Sequence, residues 1–389
     1  MEHSRNADIK VIFALTLVHF IGDFYYSFVN PLLPVFVDKF SLTLTQVGLI
    51  AGISRLLAFV VQPWVGYFAD RFRTRFFILG GPLLAVLFIS LVGIAPNFLV
   101  LILFISLGAI GTSMYHPPSA GMISTYSGRQ HSFSFSIFNM GGTLAFGVGP
   151  LFITYFVSTY GLTASPFTMI FGLAVVAILF KLTPLPQQEP LRNLGLIGTL
   201  KEVLGTVWKS IILIWIIMVL CGFVTQSFST FIPVLYAKEG YSLISIGSIV
   251  SILTLAGAIG GLVAGHLSDR IGYKRIFYFS HSLATASLYL FLYLPGNWVF
   301  FSAFWVGFFL MATLPLGLAM ALELAPKGKS MIASLMMGLG FGTGGMLIPL
   351  AGKLADVFSI RSVLFFLAII PLLTVGLIFL LPEEKLKQS

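Results

Sequence analysis

Residues 66–75 read GYFADRFRTR and residues 265–274 read GHLSDRIGYK: in each a glycine, then Asp-Arg, then further cations, 199 residues apart. The same offset pairs PVFVDKF at Pro34 with PVLYAKE at Pro233, Gly48 with Gly247, and Pro150 with Pro349. One register that fits four separate places describes a chain whose first half is written again as its second.

The composition says what each half is made of. Of 389 residues, 58% are hydrophobic and 9% charged, with a mean hydropathy of +1.00; soluble domains carry about a quarter of their residues as charge. Cutting the chain at every Asp, Glu, Lys and Arg leaves runs to be compared with the ~20 apolar residues a helix needs to cross hydrocarbon. Residues 11–37, interrupted by Asp23, and 40–69, interrupted by Arg55, each make one span. Residues 76–128 and 130–180 make two apiece, with turn signals at APN (95–97) and TYGLTASP (159–166). In the second half 210–237, 240–268, 330–352 and 362–382 make single spans, and 276–322 makes two around LPGN. Unbroken apolar runs exclude a β-barrel, whose strands alternate, and leave helices as the structure that satisfies the backbone in lipid. The expected fold is therefore an all-α membrane protein of twelve transmembrane helices in two six-helix bundles. An even number of spans per half makes the halves parallel, related by a pseudo-twofold along the membrane normal, with a substrate site between them at mid-depth. The expected domains are 1–183, a cytoplasmic linker 184–209, and 210–389 with a short tail. Leu200, Val203, Leu204, Val207 and Trp208 give the linker an apolar stripe at helical spacing, suited to lying on the inner leaflet.

Charge sets the orientation. Seventeen of the 22 Lys and Arg fall in the tails and loops on one side of the twelve-span layout, against Lys39, Lys238, Lys353 and Arg361 on the other. That side is cytoplasmic by the positive-inside rule, so both termini are expected in the cytoplasm of a cell (inner) membrane protein. The same bias accounts for the net charge of +9 without nucleic acid, and the expected partners are the bilayer, a small-molecule substrate and protons, for a monomer. Cys221 is the lone cysteine, and H-E-x-x-H and G-x-S-x-G are absent, so neither an enzyme nor a cofactor or metal site is expected.

Within span 1, His19, Asp23, Tyr26 and Asn30 recur at one-turn intervals and share a helix face. A charge at mid-bilayer costs at least ~2.5–3.5 kcal/mol, so this face is expected to meet a watery cavity. Asp23 and Arg55 lie about midway along neighbouring antiparallel spans, which suggests an ion pair. Hydrocarbon favours the neutral acid and a nearby cation favours the carboxylate, a balance that solvent access can swing, so Asp23 is the expected proton carrier with His19 as its relay. A purely structural Asp23–Arg55 pair is the alternative. His116, beside Pro117 and Pro118, and Asn139 form a second expected cluster at a lower level, either a gate or substrate contact or a histidine bonded to carbonyls that the prolines leave free. Gln226 and Phe223 are the expected cavity groups of the second half. Glycines in spans 5 and 11, among them Gly149 before Pro150 and the run before Pro349, let helix backbones touch.

The loop pair Gly66, Asp70, Arg71, Arg73, Arg75 and Gly265, Asp269, Arg270, Lys274 resembles the G-x-x-x-D-R-x-x-x-R signature of the major facilitator superfamily. HFIGD (19–23), QPWVGYFAD (62–70), YHPPSAG (115–121), SGRQHSFSFSIFNMGGTLAFGVGPL (127–151) and GLGFGTGGMLIPLAGKLAD (338–356) are similar to its fosmidomycin-resistance-type exporters. The resemblance implies alternating access and proton-driven efflux of a small amphipathic or anionic compound. Import of an organic anion by symport and transport of a lipid or lysolipid remain alternatives. Gly66, Asp70, Arg71, Arg129, Gly265, Asp269 and Arg270 are then expected to latch the cytoplasmic face, with Gly149, Pro150 and Pro349 as gating positions. The sequence departs from the superfamily in two places: Ile153 and Thr154 stand where the antiporter signature has glycines, and span 4 carries no arginine.

Overall fold

A computed structural model of the chain describes residues 7–69, 74–127, 131–185, 207–324, 336, 340 and 342–381, and among them there is no strand. Span 1 is α1 (Ile9–Tyr26) followed by α2 (Val29–Phe40), and span 2 is α3 (Leu44–Ala69). Then come α4 (Phe76–Ser90) with a 3-10 turn at Leu91–Ile94, α5 (Phe98–Tyr126), α6 (His131–Tyr160), and a 3-10 segment Leu162–Phe167 leading into α7 (Thr168–Leu182). The second half runs through α8 (Trp208–Lys238), α9 (Leu243–Ile271), α10 (Tyr273–Tyr293), α11 (Trp298–Leu310) and α12 (Thr313–Leu324), then α13 (Gly342–Met346), α14 (Ile348–Val357), α15 (Ile360–Leu367) and α16 (Ile370–Phe379). Among the described residues nine stretches are long and apolar enough to cross a membrane. The other three expected spans fall on α10, on α11 with α12, and on α13 with α14. Residues such as Leu99, Leu262, Phe366 and Phe171 are exposed along these helices, a surface whose solvent is lipid.

The turn chemistry follows the sequence. The Asn97 side chain accepts the Val100 N–H and starts α5. Gly161 (φ +83°) closes α6, and Gly296 (φ +58°) makes the LPGN turn, both in the left-handed region that glycine enters without cost. Span 1 differs from the single helix expected. It breaks at Ser27 and Phe28, where the Ser27 hydroxyl turns back to the Phe24 carbonyl and Gly149 of α6 presses against Ser27. The break separates Tyr26 from Asn30, both half-buried, so the polar face ends with α1. Most of the linker stripe, residues 200–206, lies outside the described residues; Trp208 is the first residue of α8.

The chain forms two compact units. One comprises 1–41, 57–191 and 241–247, the other 42–56, 192–240 and 248–389. The short stretches 42–56 and 241–247, at the starts of α3 and α9, show the repeat in atoms. In the second unit a Cβ on Gly48 would lie 2.8 Å from the Ile348 carbonyl oxygen, next to Pro349. In the first unit a Cβ on Gly247 would lie 2.8 Å from the Pro150 carbonyl oxygen. Gly48 and Gly247, like Pro150 and Pro349, are 199 residues apart. Two cations reach equivalent carbonyls from positions the repeat does not relate: Lys39 Nζ donates to the Gly93 carbonyl (2.8 Å), and Arg361 donates to the carbonyl of Leu292, 199 residues after Gly93.

The start of α3 has all its early N–H groups satisfied. Thr43 and Gln46 form a capping box: the Thr43 N–H donates to Gln46 Oε1 (2.9 Å) and the Gln46 N–H to Thr43 Oγ1 (3.2 Å). Asp356 in α14, beyond the expected span, accepts the Leu44 N–H (2.7 Å), the Thr45 N–H (2.8 Å) and the Thr45 hydroxyl (2.5 Å). Partial burial pushes the Asp356 carboxyl up, but the Thr45 and Leu44 bonds and the charge of Lys238 outweigh it and hold the carboxyl below its ordinary range. The stabilisation is therefore present in full above pH ~4 and fades as pH falls through the depressed folded value. Asp356→Ala is expected to cost about 1 kcal/mol, as loss of a cap does. Asp356→Asn is expected to flatten the acid limb of stability below pH ~4, read by thermal unfolding in detergent across pH.

Candidate functional site

The buried acid of span 1 is met by three side chains from its own unit. Asp23 lies on α1, one turn after His19, and their ligand atoms face each other: His19 Nε2 is 3.1 Å from Asp23 Oδ2. From α5, the Tyr115 hydroxyl donates to Asp23 Oδ1 at 2.5 Å and His116 Nε2 stands 3.8 Å from the same oxygen. The rings pack together, His116 stacked on Tyr115 (centroids 4.4 Å) and edge-on to His19 (4.8 Å). Asp23, His19 and Tyr115 are buried, while the His116 side chain keeps 32% of its surface.

Hydrogen bonds fix which nitrogen of each imidazole faces the acid. His19 Nδ1 is 2.9 Å from the Phe138 carbonyl oxygen of α6, and His116 Nδ1 is 2.5 Å from the Thr112 carbonyl oxygen one turn back in α5. A carbonyl can only accept, so both Nδ1 atoms carry hydrogen. In the neutral rings both Nε2 atoms are then lone pairs directed at a carboxylate. Such an arrangement is repulsive until a proton or another cation is shared among the three groups.

A close approach of α6 shapes the same place. The missing side chain of Gly142 leaves room for the His19–Asp23 pair: a Cβ there would lie 2.8 Å from Asp23 Oδ2 and closer still to His19 Nε2. Two turns from the acid, a Cβ on Gly141 would lie 2.7 Å from the Thr16 carbonyl. The glycines expected to let helices touch thus also admit the polar cluster between them.

The Major Facilitator Superfamily family model matches residues 15–330 and 240–389. The chain belongs to that superfamily. Among its relatives, the Fosmidomycin resistance protein of Escherichia coli (strain K12) is 28% identical over 97% of this chain and 94% of its own length. Multidrug resistance protein MdtG of Enterobacter lignolyticus (strain SCF1) is 27% identical over 64% of this chain and 62% of its own. In fold, the crystal structure of a bacterial homolog of the human lysosomal transporter Spinster superposes with a TM-score of 0.81 at 17% identity, covering 95% of this chain and 96% of that one. The protein is thus a multi-pass membrane transporter of the all-α major facilitator fold with efflux-type relatives, and not an enzyme.

The superfamily chain carries its expected site residues in different places. His19, Asp23 and His116, expected as two clusters at different levels, form one cluster, because His116 leans along α5 to the acid. Asn139 follows Phe138, whose carbonyl holds His19, and is itself exposed. Arg55 lies on the part of α3 that belongs to the second unit, its stem against Gly345, where a Cβ would lie 2.5 Å away. Gln226 and Phe223 are on α8 of that unit; Gln226 is buried, and its Nε2 has no hydrogen-bond partner among the described residues. Asp70, Arg71 and Arg129 lie outside the described residues, as do the side chain of Asp269 and the surroundings of Gly66. Gly265 and Arg270 are in the last turns of α9, Arg270 exposed. Sequence reasoning passed over Tyr115, although the YHPPSAG stretch contains it, and Asp356, whose motif was quoted for resemblance alone.

Gly142→Ala is expected to overpack the His19–Asp23 pair at a cost of about 1–3 kcal/mol, read as a lowered melting temperature. Gly121→Ala, where a Cβ meets nothing within 4 Å, is expected to be neutral or slightly stabilising by helix propensity.

Proposed function

We propose that the chain exports a small amphipathic or anionic organic compound in exchange for protons, by alternating access, with Asp23 as the proton-carrying group. The single observation that supports this most is the composition of the Asp23 cluster. A carboxylate far inside a span is faced by two imidazole lone pairs and needs a shared cation, and the proton is the cation always at hand. His19 relays, His116 offers the more exposed end of the path, and Tyr115 orients the carboxylate. The names of the relatives, a fosmidomycin resistance protein and a multidrug resistance protein, favour outward transport of a drug-like solute.

In this reading the protein sits in the cell inner membrane as a monomer with both termini cytoplasmic. Tyr26, Asn30, Asn139, Phe223 and Gln226 contribute to the substrate path, and Arg55 gives an anion its counter-charge. Gly66, Asp70, Arg71, Arg129, Gly265, Asp269 and Arg270 work as the cytoplasmic latch, while the contacts of Gly149, Pro150 and Pro349 serve as pivots. The domains of the motor are 1–183 and 210–389, joined by the linker 184–209.

Everted vesicles carrying a preset acid-inside gradient test the proposal. Adding fosmidomycin or a related phosphonate is expected to dissipate the gradient with the wild-type chain. Asp23→Asn is expected to abolish that response while the protein remains folded and still binds the compound. A substrate-driven proton flux of the opposite sense would instead make the protein a symporter, and an unchanged response in Asp23→Asn would remove Asp23 from the coupling path.

A further inference from the structure

The donors around Asp23 have the composition and the outer bonding of a metal site. His19, Asp23 and His116 each offer one ligand atom, and the three atoms all lie within 4.8 Å of one another. Tetrahedral zinc with ligands at about 2.0–2.2 Å separates neighbouring donors by roughly 3.3 Å. The two separations to the carboxylate, 3.1 Å for His19 and 3.8 Å for His116, bracket that figure. The widest separation in the set reaches 4.8 Å, so closing the site takes a shift of on the order of 1 Å by a ligand ring and a rotation of the carboxylate.

The surroundings support coordination in three ways. Metal-binding histidines donate their second N–H to a carbonyl or carboxylate, which aims the other nitrogen at the ion; here the Phe138 and Thr112 carbonyls serve both rings. Ligating carboxylates are themselves hydrogen-bonded, and Tyr115 bonds Asp23. The backbone of Gly142 packs against the edge shared by His19 Nε2 and Asp23 Oδ2, where any side chain would collide with both ligand atoms, and the part-exposed His116 ring gives a side of entry.

We infer that His19 Nε2, Asp23 and His116 Nε2 form a binding site for a divalent transition metal, zinc foremost, in the membrane-embedded part of the protein. Two imidazoles and one carboxylate suit Zn²⁺ over Mg²⁺ or Ca²⁺, which prefer all-oxygen shells. Three protein ligands leave a fourth position for water or an anionic group. A bound ion takes the same lone pairs and carboxylate that a coupling proton would use, so zinc acts as a reversible blocker of transport. Metal binding at these donors holds whether or not protons drive the carrier.

Binding is measured on the full-length protein purified in detergent, stripped of metal and equilibrated with Zn²⁺ alone at neutral pH, without substrate or gradient. The expected result is one zinc per chain, with X-ray absorption reporting two imidazoles in its first shell. His116→Ala, at the most exposed of the three positions and so the least disturbing to the fold, is expected to weaken binding by on the order of 10–100-fold or more. It should also remove one imidazole from the spectrum. No stoichiometric zinc in the wild type, fewer than two imidazoles in its shell, or undiminished binding in His116→Ala overturns the inference. Because no transport is measured, a failure of proton antiport would leave this result standing, and the reverse also holds.

Discussion

The constraint on which the rest depends is the cost of keeping a carboxylate inside hydrocarbon. Breaking a buried charge pair costs about 3–5 kcal/mol, because the remaining charge has nowhere to go. Asp23 is therefore tolerable only with partners that the surrounding helices hold in place. Each partner comes with its own anchor: His19 is tied to α6 through Phe138, His116 to its own helix through Thr112, and Tyr115 stacks on His116. Packing α1, α5 and α6 against one another and satisfying the acid are consequently one event. Gly142 is needed for both, since any larger side chain would separate the helices at the point where the acid is met.

Backbone proximity supplies the remaining framework. In lipid, helices gain little from hiding apolar side chains and associate through close packing, so glycine at a crossing is structural. Gly81 and Gly111 show this reciprocally between α4 and α5: a Cβ on the first would lie 2.6 Å from the carbonyl oxygen of the second, and the converse distance is 2.5 Å. The cation caps at Gly93 and Leu292 add a polar counterpart, closing carbonyls at the ends of equivalent spans.

How much was legible follows from which physical signals are local. Spans, turns and the repeat are written in charge-free runs, in Asn97, Gly161 and Gly296, and in a fixed offset, and the helices respect them. His19 and Asp23 were legible as a pair because one helical turn places them together. The joining of His116 to them was not, because counting residues gives depth but not the reach or lean of a side chain. Asp23 is 14 residues into α1 and His116 is 10 residues from the end of α5, a difference of four, or about 6 Å of rise. An imidazole leaning along its helix covers much of that. The break after Tyr26 has a local signal that residue counting ignores: Pro31 has no N–H for the Ser27 carbonyl and its ring crowds that carbonyl, and Gly149 of another helix packs against Ser27 at the same point. The Asp356 cap joins residues 311 and 312 positions apart, and no local pattern announces such a bond.

The repeat then separates scaffold from chemistry. At the 199-residue offset the contact residues keep their type: Gly48 with Gly247 and Pro150 with Pro349. The cluster residues do not. His19, Asp23, Tyr115 and His116 are matched by Met218, Gly222, Leu314 and Pro315, and Asp356 by Val157. In the other half α9 starts on a local cap, the Ser245 N–H donating to Ser242 Oγ (3.2 Å), while α3 starts on a local cap together with Asp356. A duplicated bundle must preserve what lets helices cross, because both copies meet that demand. A buried ionisable cluster carries a large penalty each time it is built, and one copy is enough to hold one cation. The asymmetry of the two halves is thus the expected result of pricing burial residue by residue, with the polar machinery concentrated where a single set of carbonyls and one missing side chain already accommodate it.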